Sequence, residues 1–182
     1  MLSDLQKKKL TRVFHVFDID KNGFVEKSDY QAIIDNLASV RGYAQGSEGY
    51  QGLYTKQMMV WEGLASKADK SHSGKVNLDE WIGFHDELMS VEGMYDIMVN
   101  GAVDMMFDVL DLNGDGKVSS DEYRAFLKAY RVDVGPWTDT VFRGADRDGD
   151  GFMSKDEVFK TVAEFYYSDD PAAPGSGLFG PV

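Results

Sequence analysis

The sequence contains no cysteine, which excludes a disulfide framework, a thiolate nucleophile, an iron–sulfur cluster and a cysteine-based zinc site. Basic residues are few: 19 Lys and Arg stand against 31 Asp and Glu, and the formal net charge is −12. Because nucleic acids are bound through basic patches, this balance argues against nucleic acid as a partner. No apolar run approaches 18 residues, so we expect no membrane-spanning helix and no obligate membrane partner.

Only three histidines are present, His15, His72 and His85. None has the spacing of a metal site or a serine or aspartate partner in a recognisable catalytic motif, so we expect no enzymatic activity. Hydrophobic residues make up 43% of the chain, enough for a sizeable core. The first residues contain no apolar run typical of a signal peptide, and we expect a cytoplasmic monomer.

The acidic residues that are present are concentrated in four twelve-residue segments. We name these loop 1 (residues 18–29), loop 2 (69–80), loop 3 (111–122) and loop 4 (146–157). Together they contain sixteen acidic and seven basic residues, and so carry −9 of the net charge of −12. Carboxylates crowded in this way repel one another unless a cation neutralises them. Calcium, which takes six to eight oxygen ligands, is the expected cation.

Loops 3 and 4 have the complete pattern of a calcium-binding loop. In this pattern the side chains at positions 1, 3 and 5 and the carbonyl at position 7 ligate the ion, glycine at position 6 permits the bend, and glutamate closes the shell at position 12. The predicted ligands of loop 3 are Asp111, Asn113, Asp115, the Lys117 carbonyl and Glu122. Those of loop 4 are Asp146, Asp148, Asp150, the Phe152 carbonyl and Glu157.

Loop 1 departs from the pattern at position 12, where aspartate replaces glutamate. Its predicted ligands are Asp18, Asp20, Asn22, the Phe24 carbonyl, Glu26 (directly or through water) and Asp29. Because Asp29 is one methylene shorter than glutamate, we expect it to supply one oxygen and to leave six ligands. Six ligands suit the octahedral shell of Mg²⁺, so loop 1 is predicted to be a mixed Ca²⁺/Mg²⁺ site.

Loop 2 has fewer charged ligands than the other loops. The candidate ligands are Asp69, Ser71, Ser73, the Lys75 carbonyl and Glu80. Only two of these are carboxylates, and Lys70 and Lys75 offset their charge. Affinity follows ligand charge, so two interpretations stay open: a weak site, or a degenerate loop retained for pairing with loop 1. The expected number of calcium ions is three or four.

Apolar residues at helical spacing flank every loop. Before loop 1 they recur at i, i+3, i+4 and i+7, and a capping-box pattern, Ser3-x-x-Gln6, precedes them. Helix–loop–helix repeated four times is the EF-hand unit. Each loop also has an apolar residue at position 8, and these residues are predicted to pair the loops two by two through short antiparallel bridges: Val25, Val76, Val118 and Met153.

The predicted fold is therefore all-α, with four EF-hands in two pairs that form one compact globule. Residues 1–92 form the N-terminal pair, residues 93–167 the C-terminal pair and residues 168–182 a tail. We expect the tail to dock through Leu178, Phe179 and Val182. The glycine-rich segment 41–52 is predicted to be a loop between helices.

The chain resembles the sarcoplasmic calcium-binding protein and calexcitin family over nearly its whole length. The resemblance rests on the opening Leu2-Ser-Asp-Leu-Gln6, on Trp61 and Trp81 flanking the weakened loop 2, and on the tail ending in Leu178-Phe179-Gly180. It implies a compact intracellular protein whose two EF-hand pairs pack face to face. It also implies a Ca²⁺/Mg²⁺ buffer in which a loop such as loop 2 is either active or silent.

Two other functions stay open at this point. A calcium-triggered sensor with an unknown protein target is suggested by a methionine cluster, Met89, Met94, Met98, Met105 and Met106. A small-molecule carrier of the luciferin-binding kind is suggested by similarity in architecture to the coelenterazine-binding proteins and by 3 Trp, 9 Tyr and 11 Phe. Core packing is the simpler explanation of both sets of residues.

Overall fold

The computed structural model describes residues 1–91 and 93–181, except for the side chains of residues 94–96, 98, 99 and 102. In this part of the chain the order helix–strand–helix occurs four times, which gives eight α-helices and four short strands. The helices are α1 (Asp4–Phe17), α2 (Lys27–Val40), α3 (Glu48–Ala68), α4 (Leu78–Ser90), α5 (Met94–Leu110), α6 (Ser120–Ala129), α7 (Pro136–Ala145) and α8 (Lys155–Tyr167). The strands are β1 (Phe24–Glu26), β2 (Lys75–Asn77), β3 (Lys117–Ser119) and β4 (Phe152–Ser154), and a 3-10 helix covers Pro174–Gly177. The predicted all-α class is confirmed.

The position-8 residues pair the loops as predicted. Strands β1 and β2 are antiparallel, with Val25 opposite Val76, and β3 and β4 place Val118 opposite Met153. These four side chains are at most 2% exposed. Each bridge is only three residues long, so its stability comes from the helices packed beneath it rather than from its own hydrogen bonds.

The helices after loops 2, 3 and 4 begin with a capping box whose last member is the residue that closes the loop. In loop 3 the Glu122 carboxylate accepts the Ser119 N–H at 2.8 Å, and Ser119 Oγ accepts the Glu122 N–H at 3.3 Å. The same arrangement begins α4 and α8, with Asn77 and Glu80 and with Ser154 and Glu157. The start of each of these helices therefore fixes the carboxylate at position 12.

The glycine-rich segment 41–52 was predicted to be a loop, and this prediction is wrong for its second half, because α3 begins at Glu48. Ser47 Oγ accepts the Tyr50 N–H at 3.3 Å, and Tyr50 is buried. The Tyr50 hydroxyl donates to Asp35 Oδ1 of α2 at 2.7 Å. This tertiary anchor outweighs the low helix propensity of Gly49 and extends α3 toward its N-terminus.

The tail returns to the helices. The structure places Leu178 and Phe179 in the core, 4% and 6% exposed, whereas Val182 lies outside the described residues. Of the methionine cluster, Met89, Met105 and Met106 are partly buried, and the side chains of Met94 and Met98 lie outside the described residues. Helices of both predicted pairs contribute to one continuous apolar core.

Candidate metal centres

The four loops share one hydrogen-bond scaffold. In each loop the carboxylate at position 1 accepts the backbone N–H of the glycine at position 6 over 2.8–3.0 Å: Asp18 from Gly23, Asp69 from Gly74, Asp111 from Gly116, and Asp146 from Gly151. These glycines have φ between +79° and +88°, a left-handed conformation that strains other residues. Loop 2 therefore retains the backbone shape of the other three loops.

The carboxylate at position 12 reaches across its loop. In loops 1, 3 and 4 one of its oxygens accepts the N–H of position 2 and the other accepts the N–H of position 9, over 2.7–2.9 Å. Asp29 makes these contacts as Glu122 and Glu157 do, in spite of its shorter side chain. The structure thus places Asp29 at the closing position, while the number of oxygens that it offers to an ion stays a prediction.

Three carboxylates converge in loop 1 and again in loop 4. One oxygen from each of three side chains lies within 4.8 Å of the other two, in the sets Asp18, Asp20 and Asp29, and Asp146, Asp148 and Glu157. Three negative charges at this separation repel one another. Oxygens bound to one calcium ion are at most about 5 Å apart, because each lies 2.3–2.6 Å from the ion. The donor sets of both loops therefore fit calcium.

Loop 3 differs from loops 1 and 4 in the charge at position 3. Asn113 stands there, and its Oδ1 accepts the Asp115 N–H at 2.8 Å. Asp111 accepts two further loop amides, from Gly114 at 2.7 Å and from Asp115 at 3.2 Å. The predicted side chains of loop 3 thus bond the amides of their own loop, whereas among the described residues the carboxylate convergence seen in loops 1 and 4 is not found in loop 3.

The closing carboxyls of loops 1 and 4 differ in acidity. Burial raises the pKa of Asp29, and the N–H groups of Glu26, Asp20 and Ile19 only partly offset this. Burial also acts to raise the pKa of Glu157, but hydrogen bonds from the backbone and side chain of Ser154 and from loop amides lower it below its usual value. The two closing carboxyls therefore differ in the direction of their pKa shifts, upward for Asp29 and downward for Glu157.

Loop 2 has the scaffold but only two carboxylates. Ser71 Oγ donates to Asp69 Oδ1 at 3.2 Å, and Glu80 accepts the Ser71 N–H at 3.0 Å. The two lysines that were expected to offset these charges form ion pairs elsewhere: Lys70 with Glu87 at 3.1 Å, and Lys75 with Glu26 of loop 1 at 3.4 Å. Both interpretations of loop 2, weak site or degenerate loop, are compatible with this arrangement.

One contact at the metal centres was missed by the sequence reasoning. Lys117, whose carbonyl was predicted to ligate in loop 3, points its ammonium at Asp150 of loop 4, with an Nζ–Oδ2 distance of 2.8 Å. The hydrogen bond and charge of Asp150 raise the pKa of Lys117, and the same bond lowers the pKa of Asp150. Lys117 also lies over the Phe152 ring, 5.1 Å from its centroid. The sequence did contain a signal for this contact. Pairing Val118 with Met153 brings Lys117 near loop 4, where Asp150 has the opposite charge.

Comparison with known proteins agrees with this geometry. A family model described as EF hand matches residues 11–34, 102–127 and 138–158, which contain loops 1, 3 and 4. By this match these three segments are EF-hands. Among curated proteins it is similar to the sarcoplasmic calcium-binding protein alpha chain of Penaeus vannamei, with 26% identity over 93% of this chain and 92% of that protein. Together with the EF-hand match, this similarity supports an EF-hand family like that of the sarcoplasmic calcium-binding proteins.

Solved structures show the same fold. The calcium-loaded apo form of the coelenterazine-binding protein from Renilla muelleri has a TM-score of 0.78 and 22% identity, and covers all of both chains. A sarcoplasmic calcium-binding protein from amphioxus has a TM-score of 0.72 and 19% identity, also over all of both chains. The family match and the acidic loops identify this EF-hand protein as calcium-binding. None of the helices in its described residues has the length and apolar content needed to cross a membrane.

Proposed function

We propose that this EF-hand protein is a monomeric cytoplasmic buffer that binds Ca²⁺ and Mg²⁺ reversibly and catalyses no reaction. Calcium is held by the predicted ligands of loops 1, 3 and 4, with Mg²⁺ competing at loop 1. Loop 2 adds a fourth calcium if its two carboxylates suffice. The ion neutralises the charge of the carboxylates. The chain supplies the oxygen ligands, in loops whose backbone shape is fixed by hydrogen bonds.

The observation that carries the proposal is the position of the tail, residues 168–181. The Phe179 ring lies 5.2 Å from the Phe165 ring and 6.5 Å from the Phe126 ring, measured between centroids. Leu178 lines a small cavity between α5, α6 and α8, together with Leu110 and Val158. The tail thus fills apolar volume among the helices that flank loops 3 and 4.

Hydrogen bonds fix the tail on several helices. The Tyr123 hydroxyl donates to the Leu178 carbonyl at 2.6 Å, and Arg12 Nε of α1 donates to the Phe179 carbonyl at 2.9 Å. Gly175 passes so close to α8 that an added Cβ would lie 2.2 Å from the Thr161 carbonyl oxygen. Only glycine permits this approach, so the fit between tail and α8 is specific.

This occupancy favours a buffer over a sensor. Sensor EF-hands respond to calcium by opening a methionine-rich groove for a target helix. Here Met106 and its apolar neighbours face residues of the chain's own tail. A target would first have to displace Leu178 and Phe179 from the core.

The test is dye binding by the calcium-loaded protein after the tail is removed by truncation following Tyr167, or displaced by Gly175→Ala. Both changes should raise the fluorescence of a hydrophobic dye several-fold and lower the melting temperature. Gly63→Ala is the matched control, because Gly63 lies in α3 with no atom within 4 Å of its added Cβ. A wild-type protein that binds dye strongly when calcium is added would contradict the buffer and favour the sensor.

Site number and ion preference require a second experiment. Calcium titration calorimetry with and without millimolar Mg²⁺ should give three or four calcium ions, with weakened binding at one site when Mg²⁺ is present. Two or fewer calcium ions would contradict the assignment of loops 1, 3 and 4.

The name of the Renilla muelleri neighbour brings a small-molecule carrier into consideration. The cavity between the helices is about 110 Å³ and is lined by Gln57, Met105, Tyr130, Tyr166 and Phe179, among others. Pockets for drug-sized ligands are about 300–1,000 Å³. This aromatic-lined cavity is smaller than such pockets, so the carrier is not the function that we propose.

A further inference from the structure

Helix α2 connects the first EF-hand to the third. Its first turn contains Asp29, the closing residue of loop 1. Toward its other end, Asn36 Nδ2 donates to the Ala129 carbonyl at 2.7 Å. Ala129 is the last residue of α6, the helix that leaves loop 3. One end of α2 therefore belongs to loop 1 while the other holds the far end of the third hand.

Arg41, the residue that follows α2, holds the other helix of the third hand. Its Nη2 donates to the Val109 carbonyl at 3.2 Å and to the Asp111 carbonyl at 3.1 Å, and it also contacts the Asp108 carbonyl. These carbonyls end α5, where a helix has unpaired acceptors and a partial negative charge. The Arg41 guanidinium donates hydrogen bonds to these acceptors, and its positive charge interacts favourably with the partial negative charge of the helix end.

A neighbouring contact strengthens the same attachment. Lys56 of α3 pairs with the Asp108 side chain at an Nζ–Oδ2 distance of 2.5 Å. The Nε of Arg41 is buried without a hydrogen-bond partner among the described residues. A buried unpaired donor has a cost, so the contacts of Nη2 have to outweigh it. The Arg41 side chain is therefore held by acceptors at the end of α5, while its backbone N–H bonds the Leu37 carbonyl of α2.

We propose that Arg41 is a positioning residue that couples calcium binding at loop 1 to calcium binding at loop 3. This rests on the proposed function, because both loops have to bind calcium. With Asn36 on α6 and Arg41 on α5, helix α2 fixes the angle between the two helices that flank loop 3. Calcium at loop 1 engages Asp29 and orders the first turn of α2. The ordering of α2 then affects loop 3 through Asn36 and Arg41, which contact the two helices that flank this loop.

The chemistry of the contact allows this coupling. Arg41 bonds the backbone carbonyl of Asp111 and leaves its carboxylate, the first ligand of loop 3, to the ion. It therefore orients the start of the loop without competing for the metal. The coupling is reciprocal: calcium at loop 3 strengthens binding at loop 1 by the same factor.

The test is a double-mutant cycle with Asp18→Asn, which removes the first ligand of loop 1, and Arg41→Gln. Binding at loop 3 is followed by the NMR amide signal of Gly116 during calcium titration. With Arg41 present, Asp18→Asn should weaken calcium binding at loop 3 by about fivefold to tenfold. In the Arg41→Gln background the same change should alter it by less than about twofold.

Two further variants separate positioning from general stability. Among the described residues, Arg143 donates through Nε to the Asp139 carbonyl of its own helix, so Arg143→Gln should retain the full coupling. Arg41→Lys keeps the positive charge and should retain part of the coupling between loops 1 and 3. If coupling persisted in Arg41→Gln while Gly116 still reported calcium binding, the role of Arg41 would be overturned and the calcium sites would stand. If Gly116 of the wild type did not respond to calcium, both the coupling and the assignment of loop 3 would be wrong.

Discussion

At the residue scale, the twelfth position of each loop performs two tasks. We expect its carboxylate to close the metal shell, and this carboxylate accepts the backbone N–H of position 9 at the start of the next helix. The pKa of Asp29 is raised by burial, whereas the pKa of Glu157 is lowered by its hydrogen bonds. The residue at position 12 therefore belongs both to the predicted metal shell and to the start of the next helix.

Asp29→Glu should raise the calcium affinity of loop 1 and abolish magnesium competition there. Glutamate supplies two oxygens and favours a seven-coordinate shell, which calcium tolerates and Mg²⁺ does not. The Gly23 amide reports loop 1 during calcium titrations with and without Mg²⁺, and Gly151 serves as the internal control for loop 4. Indifference of wild-type loop 1 to millimolar Mg²⁺ would show that the argument from six ligands is wrong.

His85 gives the protein a predictable sensitivity to acid. Its ring lies 4.7 Å from that of Trp81, its Nδ1 is 2.8 Å from the Trp81 carbonyl oxygen, and burial lowers its pKa to about 4. An unfolded histidine titrates near 6.5, so between these values the unfolded chain binds more protons and stability falls with falling pH. From about pH 7.5 to about pH 5 the loss due to this group is about 2 kcal/mol.

His85→Phe should remove that part of the pH dependence. The free energy of unfolding by urea is measured for both proteins at the two pH values in the same excess of calcium. The other titrating groups cancel in the difference between the variants. Parallel pH profiles for wild type and His85→Phe would show that the imidazole is not held neutral by burial.

At the element scale, the loops and their pairing could be predicted because the residues of a calcium-binding loop occupy fixed positions in a short segment of sequence. Ligands at fixed positions, a glycine with positive φ and an apolar residue at position 8 are all visible within twelve residues. The start of α3 at Glu48 could not be predicted, because it depends on the contact of Tyr50 with Asp35 on another helix. The contacts of Arg41 were also hidden, because its acceptors are backbone carbonyls, which every residue has. The domain boundaries at residues 92 and 167 stay predictions.

The β3–β4 bridge should make loops 3 and 4 a cooperative pair. Glu157→Gln removes a charged ligand from loop 4 and should weaken calcium binding at that loop by tenfold or more. Because Val118 and Met153 are opposed and nearly fully buried, loop 3 should also weaken, by about threefold or more. Glu122→Gln should produce the reverse pattern.

The amides of Gly116 and Gly151 report the two loops separately in the same titration. Glu62→Gln is a suitable control, because it removes one exposed carboxylate of α3, outside all four loops. If either loop variant left its neighbour's affinity unchanged, the bridge would not be the route of cooperativity.

At the scale of the whole molecule, the distribution of charge sets the stability of the metal-free protein. The four loops hold sixteen of the 31 acidic residues. Binding of three calcium ions would change the net charge from −12 to −6, and binding of four would change it to −4. Ligands that bind only the native state stabilise it by mass action, and here they also remove repulsion.

Removal of calcium should therefore lower the melting temperature, and monovalent salt should recover part of the loss by screening the carboxylates. The measurement is thermal unfolding in a chelator and in excess calcium, each over a series of KCl concentrations. The calcium form is the control and should respond less to salt. Equal melting temperatures for the two forms would contradict the charge argument.

The contacts between α1 and the last part of the chain have a consequence for the order of folding. Lys9 Nζ donates to the Ser168 carbonyl at 2.7 Å, and Gln6 Nε2 donates to the Tyr166 carbonyl at 3.1 Å, across about 160 residues of sequence. Synthesis proceeds at roughly 5–20 residues per second, so α1 leaves the ribosome about 8–30 s before these partners exist. Until then Lys9 and Gln6 lack the partners that they have in the folded protein. The attachment of α1 to the end of the chain is therefore among the last tertiary contacts that can form.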